Sequence, residues 1–201
     1  MTEHISHLKQ KVLSSVIGIL PYEPFDGNII SKACADMGLE PQYGDLLFPN
    51  GRMGVLEMFR DSIDQQMTER VNNELEQINS ITSRIYEAIK IRLEILAEYK
   101  IAISKINTFF STPWNHHKLY PYTWHSINLI WRVAGKDKST DFNYYTKRGL
   151  LTAIYLSTVL YWISDDSEDF SDTQNFLRRK LRLVGKIGGK IHSLRRSRKR
   201  G

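Results

Sequence analysis

Residues 28–51 read NIISKACADMGLEPQYGDLLFPNG. Asn28 is a residue type that caps helices, and the segment after it reads as a short helix to Met37 that Gly38 stops. Pro41 to Phe48 is long enough for one more short helix, closed by Pro49-Asn50-Gly51. Upstream, Ile5, Leu8, Val12, Val16 and Ile19 recur at helical spacing, and Pro21 ends that run. Tyr22 to Gly27 is a connector punctuated by Pro24 and Gly27. Three helices of these sizes and gaps predict a helix-turn-helix-like module over residues 1–50.

The same periodicity continues beyond Gly51 in longer segments. Met53, Leu56, Phe59, Ile63 and Met67 line one helix face, and Glu57, Arg60, Asp61, Asp64 and Glu69 form the other. Residues 71–79 are polar and predict a break or kink. Ile81, Ile85, Ile89, Leu93 and Leu96 make the next stripe, continued by Ile101, Ile103, Ile106, Phe109 and Phe110 until Pro113. A helix follows from about Asn115 to Ala134, with Gly135 as its stop. Ser139 or Thr140 caps the most apolar helix, which reaches Ile163. Its long uncharged run predicts that it is enclosed on all sides. An acidic turn at residues 165–169 precedes a last helix capped by Ser171 or Asp172. No segment reads convincingly as strand, so the fold class is all-α.

The charge is unevenly placed. The 201-residue chain carries +6 overall. Residues 178–200 hold 11 Lys or Arg and no acid, which leaves 17 bases against all 22 acids elsewhere. A mildly acidic body with a basic tail points to an anionic surface as the tail's partner. In that tail Leu181, Leu183, Val184, Ile187, Ile191 and Leu194 alternate with bases, a pattern suited to the headgroup layer of an anionic membrane. The membrane candidates are Lys186, Lys190, Arg195 and Arg196. A solvated basic end and an RNA-binding end stand as alternatives. The longest uncharged stretch, Gly149 to Ser164, is shorter than the roughly 20 residues needed to span a bilayer. Cys34 is the single cysteine, so no internal disulfide framework exists and it reads as a small buried residue.

The residues that could carry chemistry form no active-site pattern. His116 and His117 are neighbours and point about 100° apart on a helix, so they cannot chelate one ion together. There is no H-E-x-x-H, paired E-x-x-H, phosphate-binding Gly-Lys loop or G-x-S-x-G. No catalytic residue, metal site or cofactor is expected, and the chain reads as a non-enzyme. DNA binding is also disfavoured. The second and third helices hold Lys32 alone against Asp36, Glu40 and Asp45, a sign that repels a duplex. The aromatics between Phe109 and Trp162 either fill the core or wall an apolar pocket.

Several strings together resemble one family. They are Leu20-Pro21-Tyr22-Glu23-Pro24-Phe25-Asp26-Gly27, Leu47-Phe48-Pro49-Asn50-Gly51, Thr112-Pro113-Trp114-Asn115, and above all Ser139-Thr140-Asp141-Phe142-Asn143-Tyr144-Tyr145-Thr146-Lys147-Arg148. Leu160-Tyr161-Trp162 and Asp165-Asp166-Ser167 continue the match. Over roughly residues 5–182 the chain is similar to the ubiquinone-biosynthesis accessory family of bacteria and mitochondria. The resemblance implies a TetR-like fold, in which the first module is followed by a C-terminal ligand and dimerisation bundle. It implies a homodimer formed through the last long helices. It also implies binding of a lipid, either an isoprenoid quinone intermediate or a phospholipid, and association with the di-iron hydroxylase of demethoxyubiquinone.

On that basis the expected organisation is a module at 1–50, a lipid-binding helical domain at 51–184 and a basic tail at 185–201. Trp131, Leu151, Tyr155 and Trp162 are the expected pocket lining. Asp141, Tyr144 and Tyr145 are the expected hydroxylase surface; the family commonly has tryptophan where this chain has Tyr144. The function expected is presentation of a quinone precursor from the membrane to the hydroxylase, with a ligand-responsive DNA-binding regulator of the same fold as the alternative. Because the chain begins directly at its first helix, the expected location is the bacterial cytoplasm, peripheral on the inner membrane.

Overall fold

The computed structural model describes residues 2–135 and 142–183. Among these, every regular element is helical. The α-helices are α1 (Thr2–Ile19), α2 (Ile29–Asp36), α3 (Tyr43–Leu47), α4 (Gly51–Glu74), α5 (Ile81–Leu96), α6 (Lys100–Ser111), α7 (His116–Gly135) and α8 (Phe142–Ile163). Residues 171–183 form a further helix, α9. Short 3-10 turns at Leu75–Gln77, Ala97–Tyr99 and Glu168–Phe170 join the longer helices.

The chain divides into two compact units that interleave in sequence. Met1–Gln66 and Ile95–Tyr122 make the first, and Met67–Glu94 with Thr123 onward makes the second. In the first unit α1 packs on α2 and α2 on α3. Val12, Val16, Leu20, Ile29, Cys34 and Leu56 are buried there. Gly38, at φ 73, ends α2 in the left-handed conformation that a side chain disfavours. Phe25 meets Phe109 edge to face at 5.2 Å. The Arg52 guanidinium lies 4.7 Å over the Phe109 ring and donates to the Phe25 carbonyl at 2.7 Å. One arginine thereby ties the α1–α2 connector to α6.

In the second unit the core is built from Met67, Val71, Ile85, Ile89, Ile127, Ile130, Trp162 and Leu177. Tyr161 stacks on Phe176 at 4.8 Å, and the Tyr86 hydroxyl donates to Gln174 Oε1 at 3.0 Å. These contacts hold α9 against α8 and α5.

Local readings are corrected at several points. Asn28 sits in helical conformation and makes no side-chain capping bond. Instead its own N–H donates to Asp26 Oδ1 at 2.8 Å, so the acid two residues earlier organises the turn. Gly51 does not close a helix; it opens α4 at φ 53. The expected break over residues 71–79 is present but confined to its second half: α4 continues to Glu74, with Val71 buried in register, and ends in a 3-10 turn at Leu75–Gln77 before α5 begins at Ile81. Pro121 lies inside α7. The carbonyl it deprives of a donor belongs to exposed His117, where water can substitute. Ile81 and Ile101, assigned to apolar stripes, are exposed, whereas Arg60 and Asp64, assigned to the outer face of α4, are buried.

The last helix is capped neither by Ser171 nor by Asp172. Asp165 Oδ1 accepts from the Ser167 N–H at 2.9 Å and hydroxyl at 2.6 Å, and its Oδ2 accepts from the Thr173 N–H at 2.8 Å and hydroxyl at 2.5 Å. Thr173 is the third residue of α9, a position whose N–H lacks an intrahelical acceptor.

Candidate functional site

The expected pocket residues fall on α7 and α8. Leu151, Tyr155 and Trp162 are spaced four and seven apart, so they share one face of α8. All three are buried in the second unit. Trp131, on α7, is half-buried. Lys147 Nζ stands 5.7 Å from its ring centre and the Arg148 guanidinium 5.9 Å. The indole Nε1 of Trp131 is buried and has no hydrogen-bond acceptor among the described residues. A buried N–H without an acceptor costs about 1–3 kcal/mol, so a group that can accept is stabilised there.

The surroundings are more polar than an aromatic wall. Arg92 is buried, and its Nε donates to the Tyr155 hydroxyl at 2.8 Å while the guanidinium lies 5.8 Å from the same ring. Arg148 is also buried, and its Nε donates to Asn128 Oδ1 at 2.7 Å. Thr152 returns its hydroxyl to the Arg148 carbonyl at 2.8 Å. Arg148, Thr152 and Tyr155 therefore form a polar seam along the inner face of α8. The sequence reading missed both arginines. The signal was available: Arg92 follows Ile85 by seven and Ile89 by three, inside the apolar stripe of α5, and Arg148 precedes Tyr155 by seven.

The expected partner surface is described in part. Asp141 lies outside the described residues, and the Tyr144 side chain does too, although its backbone is in α8. Tyr145 is 67% exposed and stacks nearly parallel to Trp124 of α7, 16° off and 6.4 Å between centres. A planar aromatic ledge held this way meets a partner with little further loss of rotamer freedom. The membrane candidates Lys186, Lys190, Arg195 and Arg196 all lie outside the described residues, as does Val184.

The most apolar helix is not enclosed on all sides. Leu150, Leu160 and Tyr161 of α8 are exposed, and so is Leu183 at the end of α9. The second unit can bury only as much of α8 as its other helices cover, and the uncharged face is wider than that. The first unit holds a cleft of about 330 Å³ lined by Lys9, Phe48, Glu57, Met58 and Asp61 among others. None of the expected pocket or partner residues lines it.

Residues 117–188 match the family model described as COQ9. The chain is 27% identical over 176 residues to the probable ubiquinone biosynthesis protein coq9, mitochondrial, of Dictyostelium discoideum, covering 85% of this chain and 57% of that protein. It is 25% identical over 193 residues to the ubiquinone biosynthesis protein COQ9, mitochondrial, of Homo sapiens, covering 92% and 60%. The protein of the same name from Bos taurus is 27% identical, covering 89% and 58%. The chain thus spans about three-fifths of the length of these curated relatives. Among solved structures, a TetR transcriptional regulator from Nitrosomonas europaea superposes with a TM-score of 0.70 at 17% identity, covering 89% of this chain and 98% of that one. The all-helical TetR-like fold expected from the sequence is the fold of this chain, and the resemblance carried by the quoted motifs is to COQ9 proteins. The expected bacterial cytoplasmic location is overturned, because the relatives are named as mitochondrial proteins. Among the described residues no helix is long and apolar enough to cross a membrane.

Proposed function

We propose that this chain is a non-catalytic lipid-binding accessory protein of ubiquinone biosynthesis, which takes a quinone precursor from the bilayer and presents it to the di-iron hydroxylase of demethoxyubiquinone. The relatives' names place them in ubiquinone biosynthesis in mitochondria, and the proposed setting follows them. The observation that carries the lipid reading is Trp131. Its buried Nε1–H has no acceptor among the described residues, and two basic side chains flank its ring. A quinone carbonyl or a phospholipid headgroup would supply the missing acceptor. Leu151, Tyr155 and Trp162 would line the apolar part of the ligand's path. Asp141, Tyr144 and Tyr145 would meet the hydroxylase, with the Tyr145–Trp124 ledge as the described part of that surface. The uncovered face of α8, with Leu150, Leu160 and Tyr161, supports a homodimer through the last helices. The tail bases would hold the protein at an anionic membrane.

The test is to purify the protein without added lipid, extract it with organic solvent and identify the extract by mass spectrometry. Stoichiometric isoprenoid quinone or phospholipid is the expected result. An empty extract from folded protein would overturn the lipid reading.

A DNA-binding regulator is the second reading, favoured by the structural neighbour's name. The first module argues against it. Lys32, the sole base on α2 and α3, is engaged by Glu23 at 2.6 Å. The surface of α3 offers Tyr43, Asp45 and Leu46. Retention on duplex DNA by the tail-deleted chain, falling steeply with salt, would revive that reading.

A further inference from the structure

The connection between α6 and α7 is held firmly yet presents a large aromatic to solvent. Thr112 is the hub of the turn. Its hydroxyl donates to the Phe109 carbonyl at 2.8 Å, and its own carbonyl accepts the N–H groups of Asn115 and His116, each at 3.0 Å. Asn115 donates back to Thr112 Oγ1 at 3.0 Å and accepts from Lys118 Nζ at 3.1 Å. None of these bonds uses the Trp114 side chain. The Trp114 indole is nevertheless 78% exposed, and Tyr120, at the end of the same segment, is 52% exposed. The other three tryptophans are buried or half-buried.

The charge along this stretch of the first unit's sequence has one sign. From Tyr99 to Tyr122, within the first unit, the sequence contains no Asp or Glu, while it contains Lys100, Lys105 and Lys118. The body of the protein is otherwise acidic. An exposed indole and phenol, in a stretch of sequence that carries bases and no carboxylate, suit the headgroup level of an anionic bilayer. There the rings leave water and their polar atoms still find partners.

We propose that the Trp114–Tyr120 segment of the first unit is a bilayer contact, with Trp114 and Tyr120 seated at the interface and Lys118 directed to lipid phosphates. It is a second membrane contact, independent of the basic tail. It rests on the lipid-presenting reading only in choosing a bilayer over a protein as the occupant.

The test uses the full chain and vesicles of phosphatidylcholine doped with phosphatidylglycerol, in high salt, where the tail's attraction is screened. Brominated acyl chains quench tryptophan fluorescence on contact. The wild type is quenched, and Trp114→Phe loses most of that quenching. Trp114→Ala lowers the vesicle affinity about tenfold, as burial of one large aromatic implies. Equal quenching of Trp114→Phe and wild type, or equal vesicle binding by Trp114→Ala, overturns the proposal. So does a Trp114→Ala chain whose vesicle binding is intact while its oligomeric mass or hydroxylase pull-down changes, since the surface would then face protein. Lipid extraction from the same variants separates the two readings. Co-purified lipid retained by a Trp114→Ala chain that no longer binds vesicles shows docking apart from carrying. Wild type that yields no lipid yet shows Trp114-dependent vesicle binding refutes carrying and leaves the docking surface standing.

Discussion

Replacing Asp165 with asparagine keeps the size of the side chain but removes its charge and one of its two acceptor oxygens. Four donors converge on this carboxylate, two from Ser167 and two from Thr173. An asparagine would turn its own NH2 toward two of them. Burial alone would raise the pKa of the Asp165 carboxyl, but the hydrogen bonds from the side chains and backbones of Ser167 and Thr173 outweigh it and lower the value from 3.8 to about 2. A difference near two units corresponds to about 2–3 kcal/mol. The turn it organises includes Asp169 and Phe170 at φ 50 and 55, a region that non-glycine residues occupy at a cost. Trp162 and Phe170 pack edge to face beside it at 5.9 Å.

The folded pKa is depressed, so this stabilisation is fully present above the unfolded value of about 4 and is lost as pH falls toward 2. Only a small part of it remains at pH 2. Asp165→Asn should therefore lower Tm at neutral pH by about 4–12 °C, given about 2–4 °C per kcal/mol for a chain of this size. Thermal unfolding followed by near-ultraviolet circular dichroism, from pH 7 to pH 2, measures the difference. The gap between wild type and variant should shrink across pH 4 to 2. A gap that is absent at pH 7, or that is the same at pH 2 as at pH 7, would refute the assignment of Asp165 as the charged cap of α9.

Three further outcomes are expected. Tyr155→Phe takes the acceptor from Arg92 Nε and should cost about 1–3 kcal/mol, read as a lower urea midpoint with unchanged slope; an unaltered midpoint would mean that this bond contributes nothing net. Tyr144→Asp should leave the circular dichroism spectrum intact and abolish pull-down of the hydroxylase, whereas undiminished pull-down would rule out that surface. Deletion from Lys186 onward should greatly reduce sedimentation with anionic liposomes at low salt, and equal sedimentation of the shortened chain would exclude the tail as a membrane element.

Much of the local structure was legible. Pro21, Gly38 and Pro113 mark helix ends through backbone constraints that act within a residue or two. The apolar spacing of Leu56, Phe59, Ile63 and Met67 names a buried face because an α-helix repeats every 3.6 residues. Cys34 is buried as its residue type suggests. The family motifs pointed to the TetR-like fold, which the local pattern alone could describe only as helical with a helix-turn-helix-like start. The expected location was read from where the sequence begins, which does not decide a compartment, and the relatives' names overturned it.

What the sequence by itself determined is the all-helical class, most of the helix ends, the sign of charge along the chain and the absence of a recognisable catalytic pattern. Only the tertiary structure decided which faces those helices cover. Arg60, Asp64, Arg92 and Arg148 are buried despite their charge, and Leu150, Leu160 and Trp114 are exposed despite their apolar bulk. It also decided that Asp165, six residues before the start of α9, and not Ser171 or Asp172, caps that helix. The physical reason is one of range. Backbone preference and helical period act over about four residues, whereas burial and hydrogen-bond partnership depend on which distant segment folds against a given face.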